Sequence, residues 1–250
     1  MLRIVVMAAG QSSRMGRDKL ALPWGGRTVL AQVLGNILFA LARLPKSGEA
    51  DKPAVDLIVV ASKPPEEYLP ANLIARFKEA GGIWWQVSPG GTLAENISVG
   101  LVGLTPDISG ICFVPGNQVG LRARPLGLLL RRFFASMPDF LVPASEAALG
   151  SPAIVHRKYV LELLSLTGDS GVGTVLRRHP ERWELFKVDH NFCNVIDTWE
   201  DYGRLYQARK LQGAGTLAET ETAAASFEGC QTCRRESLPR RRARLPIRIP

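Results

Sequence analysis

Arg14 and Lys19 are the side chains of this chain best placed to do chemistry, because of what precedes them. A guanidinium can fork onto two phosphate oxygens while an ammonium sets a point charge on a third. The residues leading to them, Ala8-Ala9-Gly10-Gln11-Ser12-Ser13, are mostly small or hydroxylic, so their backbone N–H groups can approach phosphate oxygens closely. This stretch leaves directly from the apolar run Leu2 to Met7. An Ile- and Val-rich run that opens into such a loop reads as a buried strand delivering a phosphate cradle, which is a nucleoside triphosphate site in outline. The loop lacks the Gly-x-x-x-x-Gly-Lys-Ser/Thr spacing of the commoner phosphate loop, its glycines standing at 10 and 16.

Two further groups of residues bear on the same chemistry. Ser88 to Leu101 contains Gly90 and Gly91, whose backbone can lie against a base or a phosphate, followed by Asn96 and Ser98 with side-chain hydrogen-bonding groups. Phe113 to Val119 ends an apolar run on Gly116, Asn117 and Gln118. Asp197 is a carboxylate that can cap the helix that follows it. His156, His179 and His190 are not spaced as metal ligands and read as structural or surface residues.

Apolar runs at Leu2 to Met7, Val55 to Ala61, Ile83 to Val87, Gly110 to Val114, Phe140 to Val142, Ala153 to Val155 and Trp183 to Val188 predict strands. Between them, 28–44, 71–80, 93–104, 125–134, 158–166 and 172–179 carry apolar residues at helical spacing, and 200–211 forms a closing helix. Alternation of this kind predicts a mostly parallel sheet with helices on both faces. Ligands of such sheets collect at the carboxyl ends of the strands, where the loop after Met7 must lie.

The loop, matched throughout apart from Met7 for a leading Leu, resembles the signature L-A-A-G-x-S-x-R-M-G-x-x-K of the MobA-like nucleotidyltransferases, which activate molybdopterin and related phosphates. Lys19 to Leu30 is similar to the family's K-L-L-L-P-x-G-G-K-x-L-L, and Gly90 to Leu101 to the base-contacting G-G-x-x-x-x-S-V-x-x-G-L of cytidylyltransferases. Gly150-Ser151-Pro152, Gly168 to Gly171, Leu176 to Pro180 and Val195 to Tyr202 resemble G-x-P, G-D-x-G, L-L-R-x-H-P and D-I-D-T-P-E-D-Y. The resemblance implies a Rossmann-like α/β fold and a molybdenum cofactor cytidylyltransferase, which joins CMP from CTP to a phosphorylated acceptor and releases pyrophosphate. It implies catalytic roles for Arg14 and Lys19, nucleotide contacts from Ala8, Ala9, Gly10, Gln11, Ser12, Ser13, Gly90, Gly91, Asn96 and Ser98, and Mg²⁺ held by Asn117 and Asp197. Ala9 stands where guanylyl relatives tend to carry Gly, which favours cytosine. A molybdoenzyme or its chaperone is the protein partner such an activity implies. The chain departs from the pattern at Asn117, where the family has an Asp on Mg²⁺, at Val119 and Trp199, each in place of Pro, and at Val195, in place of Asp. A nucleotide-binding homologue without turnover therefore stays open beside the enzyme, as does a sugar-phosphate or methylerythritol-phosphate nucleotidyltransferase.

With 250 residues, 46% of them hydrophobic, the chain can bury the core of one large α/β domain, predicted over 1–212. The net charge of +8 is misleading about nucleic acid, since residues 234–250 hold seven Arg and one Glu and so supply most of it. The segment 213–250, without a periodic apolar face, reads as a disordered basic tail, and its Cys230-x-x-Cys233 has no second ligand pair for zinc. No apolar run reaches the roughly 20 residues of a membrane span, Met1 leads straight into a strand, and the four cysteines are scattered. These features predict a cytoplasmic protein with no membrane partner.

Overall fold

The computed structural model describes residues 1–44, 55–146 and 149–219. Within it Met1–Tyr202 forms one compact unit and Gly203 onward a second. The polar loop around Pro45 to Pro53, Cys230, Cys233 and the Arg-rich end lie outside the described residues.

All seven expected strands are present, as β1 (Leu2–Ala8), β2 (Val55–Ala61), β3 (Ile83–Gln86), β4 (Gly110–Pro115), β5 (Phe140–Ala144), β6 (Ala153–His156) and β7 (Trp183–Lys187). They form one sheet in the order β3-β2-β1-β4-β6-β5-β7. β1 runs parallel to both β2 and β4, with Val5 opposite Ile58 and Phe113. Its continuous burial follows from that central place, because a strand covered on both faces has no polar side. β6 is the exception to parallel order, running antiparallel to β4 and β5. The segment from Ala144 to Ala153 is too short for a crossover, which needs a dozen residues or more, so β6 must return as a hairpin partner.

The helices are α1 (Val29–Leu41), α2 (Ala71–Glu79), α3 (Leu93–Gly100), α4 (Ala123–Ser136), α5 (Val160–Leu164), α6 (Val172–Arg178) and α7 (Trp199–Glu219). α1 contacts α2 and α4 in one layer, while α3 and α5 meet and α5 reaches α6 in the other. Against this second layer the sheet presents Val5, Ile58, Val60, Ile111, Phe113 and Phe140, which share a buried core with Ala94, Ile97, Leu163 and Val175. Thr28 caps α1 by accepting the Ala31 N–H, and Thr92 and Glu95 close a reciprocal capping box on α3. Helical backbone in α7 runs to Glu219, past Gly213, where composition places the start of a disordered tail. The Ala, Leu and Glu residues of 214–219 are good helix formers and extend a helix that is already nucleated.

α3 is shorter than its apolar spacing predicts, ending at Gly100 instead of Leu104. Arg3 supplies the reason. It is a charged residue within the apolar run of β1, only 3% exposed, and its guanidinium donates to the carbonyls of Gly100 at 3.3 Å, Val102 at 2.7 Å and Gly103 at 3.0 Å. The same group pairs with Asp56 on β2 at 2.7 Å. A cation at the carboxyl end of a helix satisfies orphan carbonyls and complements the helix dipole. Arg3 thus pins α3, which carries the second candidate segment, to the two central strands. Arg3→Ala leaves Asp56 and three carbonyls without their cation, and we expect a loss of about 3–5 kcal/mol in urea unfolding. A loss under about 1 kcal/mol, the range of an exposed pair, would show that the cluster does not anchor the helix.

Candidate functional site

The loop after β1 crosses the carboxyl ends of the strands where the order departs to β2 on one side and to β4 on the other, the point at which open α/β sheets collect ligands. A cleft of about 340 Å³ opens there, within the size range of small-molecule sites. It is lined by Ala9, Gly10, Gln11, Ser12 and Ser13, by Gly16, Arg17 and Asp18 farther along the loop, by Ser62 after β2, and by Pro89 and Gly90 before α3. Gln11 and Gly90 face each other across it, since a Cβ on Gly90 would stand 3.4 Å from Gln11 Nε2. The sheet thus brings together the first and second candidate segments.

The loop is shaped by its own hydrogen bonds. The Ser12 carbonyl accepts the amides of Met15 and Gly16 at 3.0 and 3.1 Å, and Ser12 Oγ accepts the Lys19 amide at 3.0 Å. Gly16 completes the turn at a φ of +61°, in the left-handed region that costs a glycine least. The turn places Arg17 and Asp18 among the residues lining the cleft, and Arg14 is exposed on the same turn. Arg17 is a basic side chain on the cleft wall that the sequence analysis did not single out, at a position the family signature leaves open. Ala8 closes β1 as a buried residue, so its contribution is to the strand end and not to the cleft surface.

Asp18 anchors the far side of the loop. Its Oδ1 accepts the Leu20 amide at 3.0 Å, and its Oδ2 accepts Tyr68 Oη at 2.9 Å and pairs with Lys63 Nζ at 3.1 Å. Tyr68 is buried against Trp84 and receives the Thr28 hydroxyl on its carbonyl at 2.6 Å, so it couples the loop to β3 and to the start of α1. Burial, reinforced by the bond to Asp18, pushes the Tyr68 phenol up to about 12. Hydrogen bonds to Asp18 and Glu67 hold the Lys63 ammonium above its ordinary value.

In the Ser88 to Leu101 segment, Asn96 lies one turn into α3 and is 4% exposed; its backbone amide donates to the Thr92 carbonyl at 3.1 Å, and its side-chain amide makes no hydrogen bond among the described residues. Its Oδ1 lies 3.6 Å from where a Cβ of Gly91 would stand, behind the cleft rim. The rim is held from outside by the Ala94 amide, which donates to the Gly168 carbonyl at 3.0 Å. Ser98 is half-buried on α3 and does not line the cleft, because it lies a further half-turn from the helix start.

Lys19, Asn117 and Asp197 form a second cluster beside the loop. Lys19 Nζ pairs with Asp197 Oδ1 at 2.7 Å, and Asn117 Nδ2 donates to the same oxygen at 3.1 Å and to the Ile196 carbonyl at 2.7 Å. Both partners of Nδ2 are acceptors, which assigns the amide orientation. The helix-cap alternative for Asp197 is resolved here. Thr198 caps α7 by accepting the Asp201 amide at 3.1 Å, and Asp201 in turn accepts the Thr198 hydroxyl at 2.9 Å. Gly116 lets β4 approach β1, since a Cβ there would lie 2.9 Å from the Met7 carbonyl oxygen. Gln118, fully buried, donates to the carbonyls of Ser151 and Phe192 at 2.6 and 2.9 Å and fixes the later motifs to the end of β4. Trp199 reaches the phosphate loop, its Nε1 donating to the Met15 carbonyl at 3.0 Å. None of the three histidines lines the cleft; His179 is bound to Glu162 and stacked on Phe140.

The donor set fits a Mg²⁺ ion that is shared with a nucleotide. Asn117 Oδ1 and Asp197 Oδ2 are hard oxygens without a partner among the described residues, and Mg²⁺ is ordinarily held by one or two such groups together with phosphates and water. Among the described residues no three His, Cys, Asp or Glu side chains converge as a metal cluster.

Two outcomes follow from this geometry. Lys19→Ala is expected to weaken CTP binding about tenfold to a hundredfold, equivalent to about 1.5–3 kcal/mol, while Lys210→Ala in the later part of α7 changes it little; equal affinities in calorimetry would detach Lys19 from the nucleotide. Tyr68→Phe is expected to cost about 1–2 kcal/mol at neutral pH. Since Tyr68 and Lys63 hold their protons more tightly folded than unfolded, their stabilisation is present below pH about 10 and lost as pH rises toward about 12. The stability gap between wild type and Tyr68→Phe must narrow across that window, and a constant gap would exclude the Asp18 clamp.

The family model of the MobA-like NTP transferase domain matches residues 4–183. No curated protein matches the chain. Among solved structures, Rv0371c from Mycobacterium tuberculosis H37Rv is similar at 24% identity over 82% of this chain and 98% of its own, with a TM-score of 0.65. Its homologue from Mycobacterium sp. strain JC1 shares 26% identity over 83% of this chain and 96% of its own, with a TM-score of 0.63. The 4-diphosphocytidyl-2C-methyl-D-erythritol synthase of Anaerococcus prevotii DSM 20548 shares the fold at 14% identity over 84% of this chain and 98% of its own, with a TM-score of 0.58. The family match spans β1 through the start of β7, every strand that meets at the cleft, and the chain belongs to the MobA-like NTP transferase family of nucleotidyltransferases.

Proposed function

We propose that this nucleotidyltransferase uses CTP and transfers CMP to a phosphorylated acceptor, molybdopterin being the acceptor most in keeping with its family. Two observations support the base assignment: Ala9 lies on the cleft wall, and Asn96, one turn into α3 and close to Gly91, has a side-chain amide that makes no hydrogen bond among the described residues. A methyl at position 9 narrows the space beside the base, and an unpaired amide rewards a base edge that offers both a donor and an acceptor. The fold shared with a diphosphocytidyl-methylerythritol synthase is consistent with a cytidine nucleotide.

In this reading the acceptor phosphate attacks the α-phosphorus of CTP, the bond to the bridging oxygen breaks, and pyrophosphate leaves. The protein orients the two phosphates and cancels charge at the α-phosphoryl oxygens and the leaving group. The Gly10 to Ser13 amides and Arg17 hold the triphosphate in the cleft, with Arg14 available from the exposed side of the turn. Lys19, beside Asp197, supplies a charge next to the loop. Bound Mg²⁺ would be held by Asn117 and Asp197 and would add charge neutralisation at the phosphates.

A second reading, a nucleotide-holding homologue without turnover, is favoured by one observation. Asn117 spends its amide nitrogen on Asp197 and Ile196, where the family has a carboxylate free for the cation. Calorimetry with CTP and GTP, followed by pyrophosphate release from CTP with molybdopterin, separates the readings. We expect CTP to bind at least about tenfold more tightly than GTP. Equal or reversed affinities would remove the cytidylyl assignment, and tight CTP binding without pyrophosphate release would select the nucleotide-holding reading.

A further inference from the structure

α1 and α4 lie side by side in the layer away from α3, and neither contains an Asp or a Glu. Their outward stripes follow the helical repeat. On α4, Arg124, Leu128 and Arg131 stand at i, i+4 and i+7 and are exposed, while Leu126, Leu129, Leu130 and Phe133 are buried beneath them. Phe39 on α1 and Arg43 just past its end are exposed as well. Two hydrogen bonds fix the register of the pair: Asn36 Nδ2 donates to the Leu121 carbonyl at 2.7 Å before α4 begins, and Arg131 donates to the Arg43 carbonyl at 3.0 Å. Phe39 and Leu128, 46% and 48% exposed, fall between these ties. The Arg43 guanidinium lies 3.3 Å from the centroid of the Phe39 ring. Gly127 shares the outward face with Arg124 and Arg131, and a Cβ there would meet nothing within 4 Å, so the space between the two arginines is open. Arg43, Arg124 and Arg131 have no carboxylate partner among the described residues.

From this we infer that the outer face of α1 and α4 is a docking surface for an acidic amphipathic helix of a partner protein. Its carboxylates meet Arg43, Arg124 and Arg131, and its apolar stripe lies on Phe39 and Leu128 across the open space at Gly127. Unpaired positive charge around a small apolar centre is the complement of such a helix, and arginine is the cation that protein interfaces favour over lysine. The other occupants fit less well. A second copy presenting the same face would set arginine against arginine. A single-stranded nucleic acid stacks its bases on aromatic faces, and that of Phe39 is covered by Arg43. An anionic bilayer takes up a broad apolar face, where this one offers two half-exposed side chains. No residue that lines the cleft comes from α1 or α4, so a docked partner leaves the nucleotide's entry open and the inference does not depend on the nucleotide reading.

The test titrates the full chain into a fluorescein-labelled helical peptide of about five turns, with Leu along one stripe and Glu flanking it, and reads fluorescence anisotropy. The wild type is expected to bind it saturably, and at least about tenfold more tightly than a peptide of the same composition with its leucines dispersed around the helix. Arg124→Glu/Arg131→Glu is expected to weaken the striped peptide at least about tenfold and to bind instead the counterpart carrying Lys for Glu. Phe39→Ser/Leu128→Ser weakens it at least about fivefold, while Arg177→Glu on α6 leaves it unchanged. CTP affinity stays the same in all of these variants. Equal affinity for the two peptides overturns the inference, as does binding that survives Arg124→Glu/Arg131→Glu, which would place the peptide elsewhere, such as on the Arg-rich end of the chain. Failure to bind the peptide, with sedimentation on phosphatidylglycerol vesicles that the arginine variant loses, would put a lipid surface in the partner's place; a dimer that the same variant abolishes would put a second copy there. Either result overturns the inference. If the Glu variant does not fold, Arg124→Gln/Arg131→Gln decides, with a weakening of at least about threefold expected.

Discussion

One carboxylate oxygen, Asp197 Oδ1, holds three distant pieces of chain together. Lys19 at the end of the phosphate loop, Asn117 after the central strand β4, and the approach to α7 all converge on it. Each contact is charge-assisted or made by a nearly buried donor, the class of hydrogen bond that contributes most and costs most to break. The position of Asn117 depends in turn on the approach of β4 to β1 that Gly116 permits. The candidate site is therefore built around a polar contact at the ends of the sheet, with the hydrophobic core below supplying the rigidity that keeps its members in register.

The two walls of the cleft are secured by different chemistry. On one side Asp18 gathers Tyr68, Lys63 and the Leu20 amide, which gives the phosphate loop a second anchor in the β2 end of the sheet. On the other, Arg3 and Asp56 hold α3 at its carboxyl end while the Thr92 and Glu95 box holds its start. The Arg3 anchor is a charge buried beneath the helix end, whereas Asp18 and Lys63 are partly exposed at the cleft; both draw loop or helix ends toward β1 and β2. A site that must place phosphates and a base within a few tenths of an ångström gains from walls fixed at both ends.

The departures from the family pattern have different physical consequences. Trp199, in place of a proline, supplies an indole N–H to the Met15 carbonyl and so ties the start of α7 to the phosphate loop. Asn117, in place of an aspartate, exchanges a metal-directed carboxylate for a donor that satisfies Asp197 and Ile196 within the protein. Val195, in place of another aspartate, makes no polar contact among the described residues. The first two add internal bonds where the pattern would leave a rigid turn or a charge facing the ligand.

Much was legible in the sequence because it is a property of local periodicity. The apolar runs became the seven strands, and the small residues and hydroxyls after Met7 became the floor of the cleft. Gly90 arrived opposite Gln11 because ligand loops of parallel strands share one end of the sheet. That Arg17 lines the cleft was not legible, since the turn at Ser12 to Gly16 sets where the residues after it lie. Arg3 was hidden within an apolar strand, and its purpose appears only when the end of α3 is laid against it. The helical run beyond Gly213 was masked by a composition that suits both a tail and a helix. Above all, the sequence named Lys19, Asn117 and Asp197 separately, while their meeting on one oxygen is a contact across widely separated positions. Pattern along the chain determines which residues are available, and only the packing of β1, β4 and the start of α7 decides which of them share a charge.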